Sequence, residues 1–192
     1  PGSDPVEAEQ EAERIVPVIE GLEGVGAVLS ADTRKASVMA KAAKAGAQIL
    51  NHVSALTHDP SSLEVAANSG LPVILMHAQG DPKTMQDDPR YDDVAAEVIA
   101  FLRERAAAAE AAGVREIWVD PGIGFGKTLA HNLTLLNNAG RIAQETGKPV
   151  LIGASRKRFI AAIDERAKDA GADRLGGSVA AALLAAQNGA AM

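Results

Sequence analysis

Short apolar runs alternate along this chain with longer stretches whose apolar groups recur at helical spacing. The first such stretch predicts a helix from Asp4 as N-cap, with Pro5 in the first helical position and Glu7 completing a capping box. It runs to about Leu22, with a kink at Pro17. A strand over 27–32, a helix near 35–45 stopped by Gly46, and a strand over 48–53 follow. Next come a short helix over 61–69 ended by Gly70 and a strand over 73–77. A polar loop over 78–90 leads to the longest helix, 92–112, where Val94, Val98, Phe101 and Leu102 share one face. The remaining pattern reads as a strand over 117–120, a helix over 131–146 ended by Gly147, and a strand over 149–154. An Ala-rich helix over 172–188 stops at Gly189, and residues 190–192 begin a sixth strand.

No internal repeat, low-complexity tract or linker interrupts this order, so 1–192 reads as a single domain. Strict strand–helix alternation predicts a parallel sheet with right-handed crossovers. Pattern alone leaves both an open doubly wound sheet and a (β/α)8 barrel. The polar residues at the strand ends, Asp32, Asn51, His77, Asp120 and Ser155, favour the barrel, whose strand ends share one active-site face. A full barrel takes roughly 250 residues, so the expected fold is a TIM-type (β/α)8 barrel, incomplete, with about five to six of its eight strand–helix units.

Composition narrows the function. Net charge is −6, which argues against nucleic acid or an anionic membrane as the main partner. There are no cysteines, which removes disulfides, thiolate metal sites and cysteine nucleophiles. No apolar run reaches the length of a membrane span, and no leader opens the chain, so a cytoplasmic protein is expected.

The sharpest segment is Asp120-Pro121-Gly122-Ile123-Gly124-Phe125-Gly126-Lys127-Thr128. Its tail looks like a P-loop, but the required first glycine is Pro121. The dinucleotide fingerprint also fails, because Lys127 stands where its third glycine belongs. What remains is a carboxylate at a strand end before a loop whose glycines let backbone approach something flat. A buried Asp can accept two parallel N–H bonds from a heterocycle edge; the alternative is that Asp120 caps the next helix. Gly153-Ala154-Ser155-Arg156-Lys157-Arg158-Phe159 sets three cations at another strand end, which in an acidic chain suggests an anion site rather than a solvated charge run. A helix opening there would add its free N–H groups. Asp32-Thr33-Arg34-Lys35, Asn51-His52 and Met76-His77 are weaker signals. Thr33 serves equally as a cap, a lone strand-end Asn is commonly structural, and Met76 fits core packing as well as a flat ligand. The four histidines lack zinc-motif spacing.

Taken in order, several segments resemble the dihydropteroate synthases over essentially the whole chain. They are Ser30 to Lys35, Ile49-Leu50-Asn51, Leu75-Met76-His77, Thr84-Met85-Gln86, Asp120 to Lys127, and Ser155-Arg156-Lys157 with Phe159-Ile160. The resemblance implies that 6-hydroxymethyl-7,8-dihydropterin diphosphate is joined to 4-aminobenzoate with release of diphosphate. It implies that Asp120 and Asn51 hold the pterin edge with Asp32 beneath, and that Met76, Phe125 and Gly153 shape the slot. Lys157 would meet the pterin and the aminobenzoate, Ser155 would orient the loop, and Arg158 would receive the aminobenzoate carboxylate. Asp120 and Lys157 are the candidate catalytic residues. Mg²⁺ is expected on the diphosphate, with no ligand assigned within this chain because the family's metal-contacting Asn belongs to an earlier strand. The family often forms homodimers and is the target of sulfonamides.

Some positions depart from the family pattern. His52 stands where the family usually has Asp, and Ala161 replaces a common Gly. Pro1-Gly2 matches the end of a Thr-Arg-Pro-Gly loop, and the chain stops before the family's Arg-Val-His-Asp strand, so the isolated piece is expected to be inactive. Two other functions compete: a methyltetrahydrofolate-binding methyltransferase domain, which the Ser-Arg-Lys segment disfavours, and a pterin-binding module without catalysis.

Overall fold

The computed structural model describes residues 4–168 and 174–192. In chain order the elements are α1 (Ala8–Gly21), β1 (Ser30–Asp32), α2 (Ala36–Lys44), β2 (Ile49–His52), α3 (Ser62–Ser69), β3 (Val73–Met76) and α4 (Val94–Ala112). They continue with β4 (Ile117–Asp120), α5 (Leu129–Asn137), α6 (Ala139–Thr146), α7 (Arg158–Ile163), a 3-10 turn (Glu165–Ala167) and α8 (Leu175–Gln187). The chain divides into two compact units, one of residues 4–76 and 102–119, the other of 77–101 and 120–192.

The first unit carries the sheet, ordered β1-β2-β3-β4. β1 and β2 are parallel with Asp32 opposite Asn51, and β2 and β3 are parallel with His52 opposite Leu75. β3 is buried at every position, Val73 to Met76, as expected of a parallel strand covered on both faces. Burying a side chain such as Leu75 contributes about 2 kcal/mol. α1 packs on α2 and α2 on α3. α1 starts at Ala8, later than the predicted Asp4 cap, and Glu7 makes no side-chain cap bond. Its start is set instead by pairs to the next helix: Glu9 with Lys41, and Glu11 with Lys35 and Thr33. Burial raises the Glu11 pKa, but the bonds from Lys35 and Thr33 outweigh that and hold it below the usual value.

In the second unit α5 packs against α7 and α8. The predicted single helix over 131–146 is two helices. Thr128 caps α5 in a reciprocal box with His131, and the chain breaks at Asn138, whose side-chain amide donates to the Thr134 carbonyl at 2.8 Å beside its own backbone N–H at 3.1 Å. The break lets Gly140 approach the end of α8, where a Cβ would sit 2.9 Å from the Asn188 carbonyl. The predicted strand over 149–154 appears as an extended segment. Met192 N donates to Val150 O and Ile152 N to Met192 O, so residues 190–192 do add a strand-like edge. α7 answers the conditional expectation of a helix after the Ser-Arg-Lys triplet. The predicted start of the last helix at Ala172 lies outside the described residues. Among the described residues no helix is long and apolar enough to cross a membrane.

Candidate active site

In the first unit the paired ends of β1 and β2 bring Asp32 and Asn51 together. The Asn51 amide donates to the exposed Asp32 carboxylate at 3.3 Å. Its other polar atom, Oδ1, is buried with no hydrogen-bond partner, an acceptor waiting for a donor. Met76 closes β3 and is 4% exposed. His52, the residue that departs from the family pattern, is fully buried and turns away from ligand chemistry. Its Nδ1 accepts from Leu56 N at 3.1 Å, and Nε2 meets Ser62 Oγ at 3.4 Å. Burial first, and His58 second, lower its pKa to about 4. The ring closes a turn in which Ala55 and Leu56 both take positive φ. Thr33 does not cap α2 but reaches Lys35 N at 3.3 Å from just outside the helix.

In the second unit β4 delivers Asp120 into a buried position, and its Oδ1 accepts from Gly122 N at 2.7 Å. It is not the cap of the next helix, because Thr128 fills that role. Oδ2 faces Gly153, where a Cβ would stand 3.7 Å away. The glycine loop then brings its backbone close to its neighbours. Gly124 (φ +83°) leaves room for the Lys157 stem, which a Cβ would meet at 3.2 Å. Gly126 (φ +64°) passes so near Gln79 that a Cβ would lie 2.5 Å from its carbonyl oxygen.

Lys157 occupies the N-cap position of α7, and its Nζ lies 4.0 Å from the centre of the Phe125 ring. Phe125, Lys157 and Arg158 line one cavity of about 420 Å³. Its lining also includes Lys127, Arg156 and Arg174, and no Asp or Glu among the described residues, so it is built for an anion. Ser155 and Arg158 are exposed beside it.

Several residues that shape this region carry no local signal in the sequence. Arg156 holds φ +54°, fixed by its N–H to Ser178 Oγ at 2.9 Å and by Arg174 donating to its carbonyl at 3.0 Å. So Ser178 and Arg174 hold the backbone of the loop at Arg156. Gln86 donates to the Gly124 carbonyl, and Asn132 accepts from Gly124 N at 2.7 Å. Lys127, which closes the Asp120 to Lys127 segment but takes no role from it, is 3% exposed. It is bonded to the Phe125 carbonyl at 3.0 Å and to His77 Nδ1 at 3.0 Å. Burial lowers its pKa to about 7, opposed by Asp120 and reinforced by Lys157. His77 is lowered to about 3 by burial and then by Lys127. Tyr91, whose hydroxyl donates to Gly126 O at 2.9 Å, is raised to about 12 by burial and then Glu97. The structure thus gathers Asp120, Phe125, Gly153, Lys157 and Arg158 in the second unit, and Asp32 with Asn51 in the first.

Known proteins share both the sequence and the fold. The family model described as "Pterin binding enzyme" matches residues 1–192. The dihydropteroate synthase of Escherichia coli K12 is 44% identical over 195 aligned residues, covering 99% of this chain and 67% of that protein, so the chain spans about two-thirds of such a relative. The dihydropteroate synthase of Xanthomonas albilineans, solved with 4-aminobenzoic acid, is 46% identical. It matches with TM-score 0.90 over 99% of this chain and 67% of its own. That of Yersinia pestis, solved with a sulfonamide drug complex, is 40% identical, with TM-score 0.93 over 99% of this chain and 68% of its own. The fold class is therefore the α/β, TIM-type (β/α) barrel that the polar strand ends favour. Matched along its whole length in sequence and nearly so in backbone, the chain belongs to the pterin-binding enzyme family, alongside the dihydropteroate synthases.

Proposed function

We propose that the intact protein carries out the dihydropteroate synthase reaction and that this chain supplies most of its substrate site. The aminobenzoate nitrogen attacks the exocyclic methylene carbon of 6-hydroxymethyl-7,8-dihydropterin diphosphate. The C–N bond forms as the C–O bond to diphosphate breaks, and the nitrogen gives up a proton. Diphosphate is a good leaving group and the pterin ring can share positive charge at its methylene. The protein must therefore align two rings and stabilise departing charge, without a nucleophilic side chain.

The observation that carries this reading is a buried carboxylate in the same unit as a cavity whose charged lining residues are all cations. Asp120 keeps Oδ2 directed past a glycine, as suits two N–H donors on a ring edge. Lys157, held over Phe125, and Arg158 supply charge for an aromatic carboxylate and for the developing diphosphate. In this reading Gly153 and Phe125 flank the pterin, Ser155 with Arg158 meets the aminobenzoate, and Lys157 contacts both. Asp32, Asn51 and Met76 are assigned to the pterin by their positions in the family motifs. The unpartnered Asn51 Oδ1 supports that role, as an acceptor for a ring N–H. The resemblance also brings Mg²⁺ with the diphosphate. Among the described residues no group of three His, Asp or Glu side chains could hold the ion, so none of them is assigned to it. We place the activity in the cytoplasm and expect sulfonamides to compete with aminobenzoate.

Incubating the intact protein with both substrates and detecting dihydropteroate by chromatography tests the reading. Pterin diphosphate binding with no product over hours would instead identify a binding module, and methyl transfer from methyltetrahydrofolate a methyltransferase.

A further inference from the structure

We propose that Lys127 is a positioning residue: its buried ammonium ties the glycine loop to His77, just past β3, and thereby sets the Phe125 ring beneath Lys157. The inference rests on the reading above, in which Lys157 meets both substrates. A lysine ammonium has three donors and no acceptor, and burying one is costly unless its donors are used. Here one goes to the Phe125 carbonyl at 3.0 Å and one to His77 Nδ1 at 3.0 Å, with the His77 carbonyl at 3.5 Å. His77 N in turn donates to the Asp120 carbonyl at 2.9 Å, so the anchor point belongs to the strand ends rather than to another loop. Tyr91, Gln86 and Asn132 hold Gly126 and Gly124. Lys127 holds the residue between them, the one whose ring faces the Lys157 ammonium.

The geometry also specifies a tautomer. An ammonium can only donate, so Nδ1 of His77 must be bare and its proton must sit on Nε2. The ring is further fixed edge-to-face on Phe101, with centroids 5.0 Å apart. His77 is neutral at pH 7, because burial holds its pKa near 3. The groups facing Lys127 are His77, Asp120, Lys157 and the Tyr91 ring, whose centroid is 6.0 Å from Nζ. A neutral lysine amine keeps two N–H donors, so the tie survives loss of the proton.

Three measurements on the intact protein test the tie. Imidazole nitrogen spectra of the unsubstituted protein should show His77 as the neutral Nε2–H tautomer at about pH 5.5, below the Lys127 pKa of about 7 and so with the ammonium charged; an Nδ1–H tautomer there overturns the tie, whatever any variant does. In Lys127→Met, hydrogen exchange of the 121–126 backbone should accelerate about tenfold or more while α4 keeps its protection; unchanged loop protection overturns the proposal. In the same variant KM for both substrates should rise about tenfold, because Phe125 flanks the pterin and Lys157 contacts both, while kcat falls less than about threefold. Unchanged KM values in the folded variant overturn the proposal. Should the variant not fold, the tautomer of the unsubstituted protein still upholds or overturns the tie. Should the unsubstituted protein make no dihydropteroate, the functional reading falls while the tautomer and exchange results still test the tie.

Discussion

His52 ends β2 and His77 follows β3, and these two buried histidines serve different ends. Both are neutral, and in both burial is the leading cause. The Nδ1 of His52 accepts from backbone amides and its other nitrogen meets a serine hydroxyl, so the ring closes a turn. The Nδ1 of His77 faces the ammonium of Lys127, inside an array that continues to Asp120 and Lys157. Residue type and burial are nearly the same in the two places. What separates a structural histidine from one beside the chemistry is the kind of donor its ring meets.

The sharpest way to break this comparison is His52→Ala. It removes a buried ring and strands the Leu56 amide, which should cost about 3 kcal/mol of stability in denaturant unfolding while leaving kcat/KM for both substrates nearly unchanged. A large loss of turnover in a folded variant would place His52 in the chemistry after all.

Acid sharpens the same contrast. The unfolded chain takes up the His52 proton near pH 6.5, the folded chain only near 4. Between those values the unfolded state holds more protons, so stability should fall as pH drops through that window, by on the order of 3 kcal/mol from this residue. His77 adds an equal decline over the same window and carries it on toward pH 3. In His52→Ala the slope the two histidines give between 6.5 and 4 should fall by about half, and an unaltered pH profile would remove His52 as a source.

On the other side of the comparison, Asp120→Asn should keep stability within about 1 kcal/mol yet cost about 2 kcal/mol of pterin affinity by calorimetry. Unchanged affinity would refute the assignment. The smallest effect is expected from Phe125→Leu, which loses the contact with the Lys157 ammonium. Aminobenzoate affinity should weaken by about 1 kcal/mol, and no change would show the ring to be mere packing.

Much of the fold is legible in the sequence because it is local. β4 appears at its predicted residues 117–120, ending in Asp120. The helix stops at Gly46, Gly70, Gly147 and Gly189 all adopt positive φ, the conformation that makes glycine a stop. The break at Asn138 is hidden because nothing in the helical periodicity marks it, and its cause is a close approach of the α8 end to Gly140. The start of α1 departs from the capping pattern at Asp4 because ion pairs to α2 outweigh it. Asp120, Phe125 and Lys157 stand out through motif and strand-end position. The roles of Lys127 and Gln86, which lie in the family motifs, and of Ser178 and Arg174, which do not, stay hidden because their partners are far along the chain: His77 is 50 residues from Lys127, and Gly124 is 38 from Gln86. A sequence contains such residues, but only folding pairs them.

The proposed chemistry turns on a lysine that serves both substrates beside a buried carboxylate. Steady-state turnover by the intact protein and by its Lys157→Met variant, each varied in both substrates, tests it most directly. The unsubstituted protein should form dihydropteroate, and the folded variant should lose about a hundredfold or more in kcat/KM. Equal turnover by the two proteins would contradict that role for Lys157.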